Sequence, residues 1–240
     1  MRVKAVISYD GSAYEGFQRQ KRTPKTVTGA LEKALRSLQI DSPVTGSGRT
    51  DTGVHASGQV IHFDLPPFWN DLDKLKVMLN RKLLEIRFKH ITAVHPSFHA
   101  RFDAKKRIYR YVFKTVPPSV FEQKYISYYP PFNTAHLQEA LKYFVGKHDF
   151  SLFHKSGSDI HTSIREICHT AYIQRGQYHY IYFQANGFLR SQVRMMVDAA
   201  MQCAREEMPL TALLEQLGCV KKHSTKLAPP QGLYLARILY

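Results

Sequence analysis

Gly46-Ser47-Gly48-Arg49-Thr50-Asp51-Thr52-Gly53-Val54-His55-Ala56 sets one aspartate inside a glycine-rich loop, with an arginine two residues before it. A short β-prone run, Pro43-Val44-Thr45, leads into the loop, and Gln59-Val60-Ile61-His62-Phe63 follows it as a strand. Glycines around a carboxylate let a ligand approach closely, because they add no side chain and tolerate unusual backbone angles. In an extended segment Arg49 and Asp51, at i and i+2, leave the same face. A cation beside the carboxylate keeps it ionised at neutral pH. Other glycine-loop chemistries fail here. A phosphate-cradling loop needs Gly-Lys-Ser/Thr at its end. A dinucleotide fingerprint needs glycine where Asp51 stands, and a carboxylate there would repel a pyrophosphate. The plain alternative is a tight turn with a local Arg49–Asp51 ion pair.

Working outward, Val3, Ala5 and Ile7 alternate with Arg2, Lys4 and Ser8 as a half-buried strand. A helix is expected near Thr26, with Ala30 or Leu31, Ala34, Leu35 and Leu38 on one stripe. Asn70 or Asp71 caps a second, carrying Leu72, Leu75, Leu79 and Leu83. Another strand is expected near Phe88 to Val94. The order is β-α-β-β-α-β, a split βαβ unit. The second half repeats it. A strand spans Arg107 to Phe113, a helix Ala135 to Val145, and a hairpin joins Ala171–Gln174 to Tyr178–Phe183 across Arg175-Gly176-Gln177. Helices at Phe188–Met201 and Leu210–Leu217 follow, the latter ended by Gly218, and a strand at Leu233–Ile238 closes the chain. The expected fold is α+β: two similar ferredoxin-like subdomains, 1–103 and 104–240, sharing a central, mostly antiparallel sheet.

The 34 Lys and Arg against 19 Asp and Glu give a formal net charge of +15 over 240 residues. Such a surplus favours a polyanionic partner through counterion release, without choosing RNA over DNA. Three scattered cysteines, Cys168, Cys203 and Cys219, form no Cys-x-x-Cys pair. That argues against a disulfide framework or structural zinc and suits a reducing cytoplasm. No charged-then-apolar leader opens the chain, so no secretory signal is expected, and no apolar run approaches membrane-spanning length.

At full length the loop resembles the signature of the tRNA pseudouridine synthase A (TruA) family, whose catalytic aspartate lies in Gly-Arg-Thr-Asp-x-Gly-Val-His. Further blocks resemble that family in the same order. They are Tyr9-Asp10-Gly11-Ser12-Ala13-Tyr14-Glu15-Gly16-Phe17-Gln18-Arg19-Gln20, Ser97-Phe98-His99-Ala100-Arg101-Phe102 with Arg107-Ile108-Tyr109-Arg110-Tyr111, Gly146 to Phe150, Phe188 to Arg194, and Ala228 to Leu235. The resemblance implies an isomerase that turns uridine into pseudouridine at positions 38, 39 and 40 of the tRNA anticodon stem-loop. It implies a cytoplasmic, cofactor-free and metal-free homodimer, one tRNA contacting both subunits, with the active site in the cleft between the halves.

By the same resemblance Asp51 is catalytic, and Arg49 fills the space left by the extruded nucleotide and holds its phosphate. Tyr109 stacks on the target uracil, Arg194 pairs with the catalytic carboxylate, and Leu233 or Leu235 walls the base. Each has a plainer alternative: a local ion pair, a core strand aromatic, a helix-surface arginine, a buried strand leucine. Two departures from the family pattern stand close to Arg194. Gln192 replaces the Met of Met-Val-Arg, and Asp198 replaces a small glycine. Phe17 replaces a tryptophan. Two rivals are the same chemistry on another RNA, and a non-catalytic RNA-binding or folding protein on this scaffold.

Overall fold

The structure is a computed structural model that describes residues 1–155, 157 and 161–240. Two compact units divide the chain: Met1–Lys105 with Leu235–Tyr240, and Lys106–Tyr234. Among the described residues there are five α-helices and ten strands, paired mostly antiparallel, which is the α+β class.

In the first unit, β1 (Arg2–Tyr9) runs antiparallel to β3 (His55–Asp64) on one side and to β4 (Ile86–Ala93) on the other. The short β2 (Thr45–Gly46) pairs with β3, and the last strand, β10 (Leu233–Leu239), lies on the far side of β3. Strict alternation buries Val3, Ala5, Ile7 and Tyr9 on one face of β1. Helix α1 (Val27–Arg36) buries Leu31 and Leu35, and α2 (Leu72–Lys82) buries Leu75 and Leu79. Both begin where a side chain can cap them: Thr26 accepts from the Gly29 amide and Asp71 from that of Lys74. The sequence division at 103/104 puts the final strand in the second half, whereas Leu235–Tyr240 belongs to the first unit.

In the second unit, β5 (Lys106–Lys114) pairs antiparallel with β9 (Tyr178–Ala185) and, in parallel, with the short β6 (Ser127–Tyr128). Next to β9 come β8 (Ile164–Arg175) and the edge strand β7 (Gly146–Asp149). The β8–β9 hairpin turns across Gly176 and Gln177, with Arg175 opposite Tyr178. His179, Ile181, Phe183 and Ala185 face inward along β9. Helices α3 (Thr134–Tyr143), α4 (Gln192–Ala204) and α5 (Leu210–Leu217) complete the unit.

Helix α4 starts at Gln192, not at Phe188, because Ser191 takes a left-handed backbone (φ 59°) that interrupts any helix there. Gln192 has a local role: its buried side-chain carbonyl accepts from the Leu189 amide at 2.8 Å and closes the turn into the helix. A methionine could not do this.

Candidate active site

Asp51 sits between β2 and β3, in a loop held on both limbs. On the entering limb, the Ser47 amide donates to the Val60 carbonyl at 2.8 Å. Buried Ser47 Oγ and Gln59 Oε1 are 2.7 Å apart, and Gln59 Nε2 donates to the Gly48 carbonyl at 2.8 Å. Exposure then alternates as in an extended chain: Arg49 outward, Thr50 buried, Asp51 half-buried. The Asp51 carbonyl accepts from the Val54 amide at 3.1 Å, closing a four-residue turn. Gly53 occupies its third position with φ +75°, which a residue with a Cβ rarely adopts. Thus the glycine two places after the aspartate is a requirement of the turn that presents it.

The N-terminal block encloses this loop. Tyr9 Oη and Thr50 Oγ1 lie 2.8 Å apart, both buried, and the Phe17 amide donates to the Thr50 carbonyl at 3.1 Å. The Gly11 amide donates to Nδ1 of buried His55 at 2.9 Å. A Cβ on Gly11 would fall 2.1 Å from the Val54 carbonyl oxygen, so only glycine fits against the loop there. Asp10 Oδ1 caps the short turn that follows, accepting from the Ser12 amide and hydroxyl. Near this turn, burial first, then the Glu85 and Asp10 carboxylates, push the Tyr14 phenol up to about 12. Tyr9, Asp10, Gly11 and His55 therefore hold the aspartate's loop in place. In the sequence alone they are motif members without a separate task, since no spacing joins position 11 to position 54.

Among the described residues Arg49 makes no ion pair, so the local Arg49–Asp51 turn is not what fixes this arginine. It stands exposed. Leu235, in the same unit, is fully buried in β10.

In the second unit Tyr109, Tyr111 and Phe113 share one face of β5, all buried. Tyr109 meets Phe188 edge-on, ring centroids 5.1 Å apart at 86°. Tyr111 lies with its hydroxyl 2.8 Å from Ser127 Oγ and donates to the Pro229 carbonyl at 3.0 Å; burial raises its pKa. Arg194, on the first turn of α4, is half-buried rather than a free helix-surface group. Its Nε donates to the Ala228 carbonyl at 2.7 Å, and its own carbonyl accepts from the Ala228 amide. Two of the quoted blocks, around Arg194 and around Ala228, thus meet in space. Among the described residues no three His, Cys, Asp or Glu side chains are grouped as metal ligands. Among the described residues no helix is long and apolar enough to cross a membrane.

The turn around Asp51 and the N-terminal block that encloses it fall within a known pattern. The sequence profile described as tRNA pseudouridine synthase matches residues 5–103 and 140–240. The chain belongs to the tRNA pseudouridine synthase family. It is 40% identical over 237 residues to the tRNA pseudouridine synthase A of Wolinella succinogenes, covering 98% of this chain and 93% of that protein. It is 39% identical to that of Campylobacter jejuni over the full length of both, and 36% identical to that of Lactococcus lactis, covering 100% and 97%. Matches of that length place the Asp51 turn, the Tyr109 strand and the Arg194 helix all within the synthase alignment.

Proposed function

We propose that this protein isomerises uridine to pseudouridine in tRNA, at positions 38, 39 and 40 of the anticodon stem-loop. Asp51 is the reacting group. The single observation that carries the reading is the aspartate's turn, immobilised by Ser47, Thr50, Gly53 and Gly11 in a chain of this family. Such pre-organisation matters where a carboxylate must meet one carbon of an extruded nucleotide.

The reaction breaks the C1′–N1 bond, turns the uracil, and joins C1′ to C5; the C5 proton leaves and N1 gains one, so the product is an isomer. No electron or external group enters, and no cofactor is called for. Asp51, ionised, either attacks C1′ or removes the C2′ proton. The uridine must first leave its stack, at a cost of about a few kcal/mol. We assign Arg49 to the phosphate of the extruded nucleotide, Tyr109 to stacking on the uracil, Arg194 to support of the carboxylate and Leu235 to the apolar wall. The +15 charge supplies the attraction for tRNA. By the same family reading the enzyme works in the cytoplasm as a homodimer.

The test is nucleotide-resolution mapping of pseudouridine in RNA from cells lacking the gene, complemented with the parent or with Asp51→Asn. The parent is expected to restore pseudouridine at positions 38–40, and Asp51→Asn to restore none while still binding tRNA. Restoration at other RNA sites would move the target, and activity of Asp51→Asn would remove the aspartate from the chemistry.

A further inference from the structure

The block Ser97-Phe98-His99-Ala100-Arg101-Phe102 has no role in the function above, yet it is built as rigidly as the aspartate's loop. Arg2 donates from one guanidinium nitrogen to the Pro96 and Phe98 carbonyls, at 2.6 and 3.2 Å, while its other nitrogens hold Asp64. Tyr240 Oη donates to the Ala100 carbonyl at 2.7 Å, and its ring packs 5.2 Å from Phe98. The Ala100 amide donates to Nδ1 of His62, whose pKa is lowered by burial and by the neighbouring His99 and Arg2. Asp103 accepts from the His99 amide and returns its own amide to the His99 carbonyl. The Arg101 and Phe102 amides both point at His99 Nδ1, at 3.2 and 3.3 Å.

What this pinned loop presents is an aromatic ring facing water. Phe102 is 74% exposed. Its ring stacks on His99, centroids 4.2 Å apart at 25°, and His99 rests edge-on against buried His62 at 4.9 Å. The Arg101 guanidinium lies 5.7 Å from the Phe102 centroid. An exposed phenylalanine that swung freely would need no explanation. One held on a three-ring ladder, with a cation beside it, in a chain of net charge +15, has the form used to receive an unpaired base: a π-face for stacking and a cation for the adjoining phosphate. Because the loop is already fixed, little ordering cost remains at binding.

We propose that Phe102, backed by His99 and flanked by Arg101, is a stacking platform for an unpaired nucleobase of the RNA substrate. The proposal rests on the tRNA reading above and adds a contact point to it.

The experiment measures tRNA affinity of the full-length protein by fluorescence anisotropy at several salt concentrations for Phe102→Ala, Phe102→Leu, Phe102→Tyr and Phe102→Trp. Ala and Leu should weaken binding by roughly 5- to 150-fold, the range for one lost base stack, while Tyr and Trp stay within a few-fold of the parent. The salt slope should be the same in all four, since no phosphate contact is removed, and the melting temperature should hold because the ring is exposed. Parental affinity in the Ala variant overturns the proposal, as does full rescue by Leu, which is apolar but cannot stack. Conversion of the free protein to a smaller species by Phe102→Ala, read by sedimentation, also overturns it by assigning the ring to a contact between copies. A parent protein that binds tRNA without salt dependence sinks the RNA reading itself, a separate failure.

Discussion

Tyr9 Oη and Thr50 Oγ1, both buried, lie 2.8 Å apart, so the end of the first strand is tied to the residue immediately before Asp51. Tyr9→Phe removes only the hydroxyl. It should cost about 1 kcal/mol of stability, the usual worth of one buried hydrogen bond. Turnover should fall more than tRNA affinity, since the loop loses an anchor while the basic surface is untouched. Thr50→Val removes the other partner, and a double-mutant cycle should show the two losses to be non-additive. Additive losses in denaturant unfolding and in turnover would show that the two hydroxyls act independently.

Much of the fold was legible because its determinants are local. Thr26 and Asp71 cap helices from one residue outside, Gly218 stops α5, and alternation along β1 needs nothing beyond the strand itself. Periodicity places the first hairpin strand at Ala171–Gln174, yet β8 starts at Ile164, because its outer part is set by pairing with Gly146–Asp149, a partner remote in sequence. Asp51 was legible as a motif. The reason it is held still was not: Gly11 against Val54, or Arg194 against Ala228, joins residues 43 and 34 positions apart, and neither leaves a periodic trace. That Leu235–Tyr240 groups with the first unit is likewise a fact of pairing with β3 rather than of order.

Asp198, the other departure near Arg194, yields a pH-dependent stability. Burial raises its pKa above the ordinary 3.8, against the opposing pull of Gln202, Lys226 and Ser224. A raised folded-state pKa favours the protonated form. Its contribution is fully present below the unfolded value and is lost as pH rises through the folded one. Asp198→Asn keeps a carbonyl acceptor for Gln202 Nε2 and removes the charge. The variant should therefore melt at or above the parent at pH 7.5, with the gap closing below about pH 4. Thermal melts at both pH values decide it; a gap of opposite sign, or one unchanged with pH, contradicts the burial account.

A net charge of +15 predicts strongly salt-dependent tRNA binding. If several Lys and Arg side chains meet phosphates, log K should fall with log salt by about 0.7–0.9 per contact. Arg49→Ala should lower that slope by about one contact and leave melting unchanged, because the residue is exposed and makes no ion pair among the described residues. An unaltered slope would take Arg49 away from the phosphate role.

Tyr109 separates ring from hydroxyl. Tyr109 is 8% exposed and its ring meets Phe188 edge-on at 5.1 Å, so a phenylalanine ring should occupy the same space. As a stacking surface for the extruded uracil, the π-face survives in Tyr109→Phe and is lost in Tyr109→Ala, a difference of about 1–3 kcal/mol for the stack alone. A phenol that carries a proton while the base turns or C5 is deprotonated would instead leave Phe nearly as damaged as Ala. We expect both contributions: Phe seriously impaired, Ala worse, and tRNA binding changed less than turnover in each, since the basic surface supplies most of the affinity. Single-turnover rates at saturating enzyme isolate the chemical step from binding. Near-parental single-turnover rates in Tyr109→Ala would return this residue to the ordinary core of β5, beside Tyr111 and Phe113.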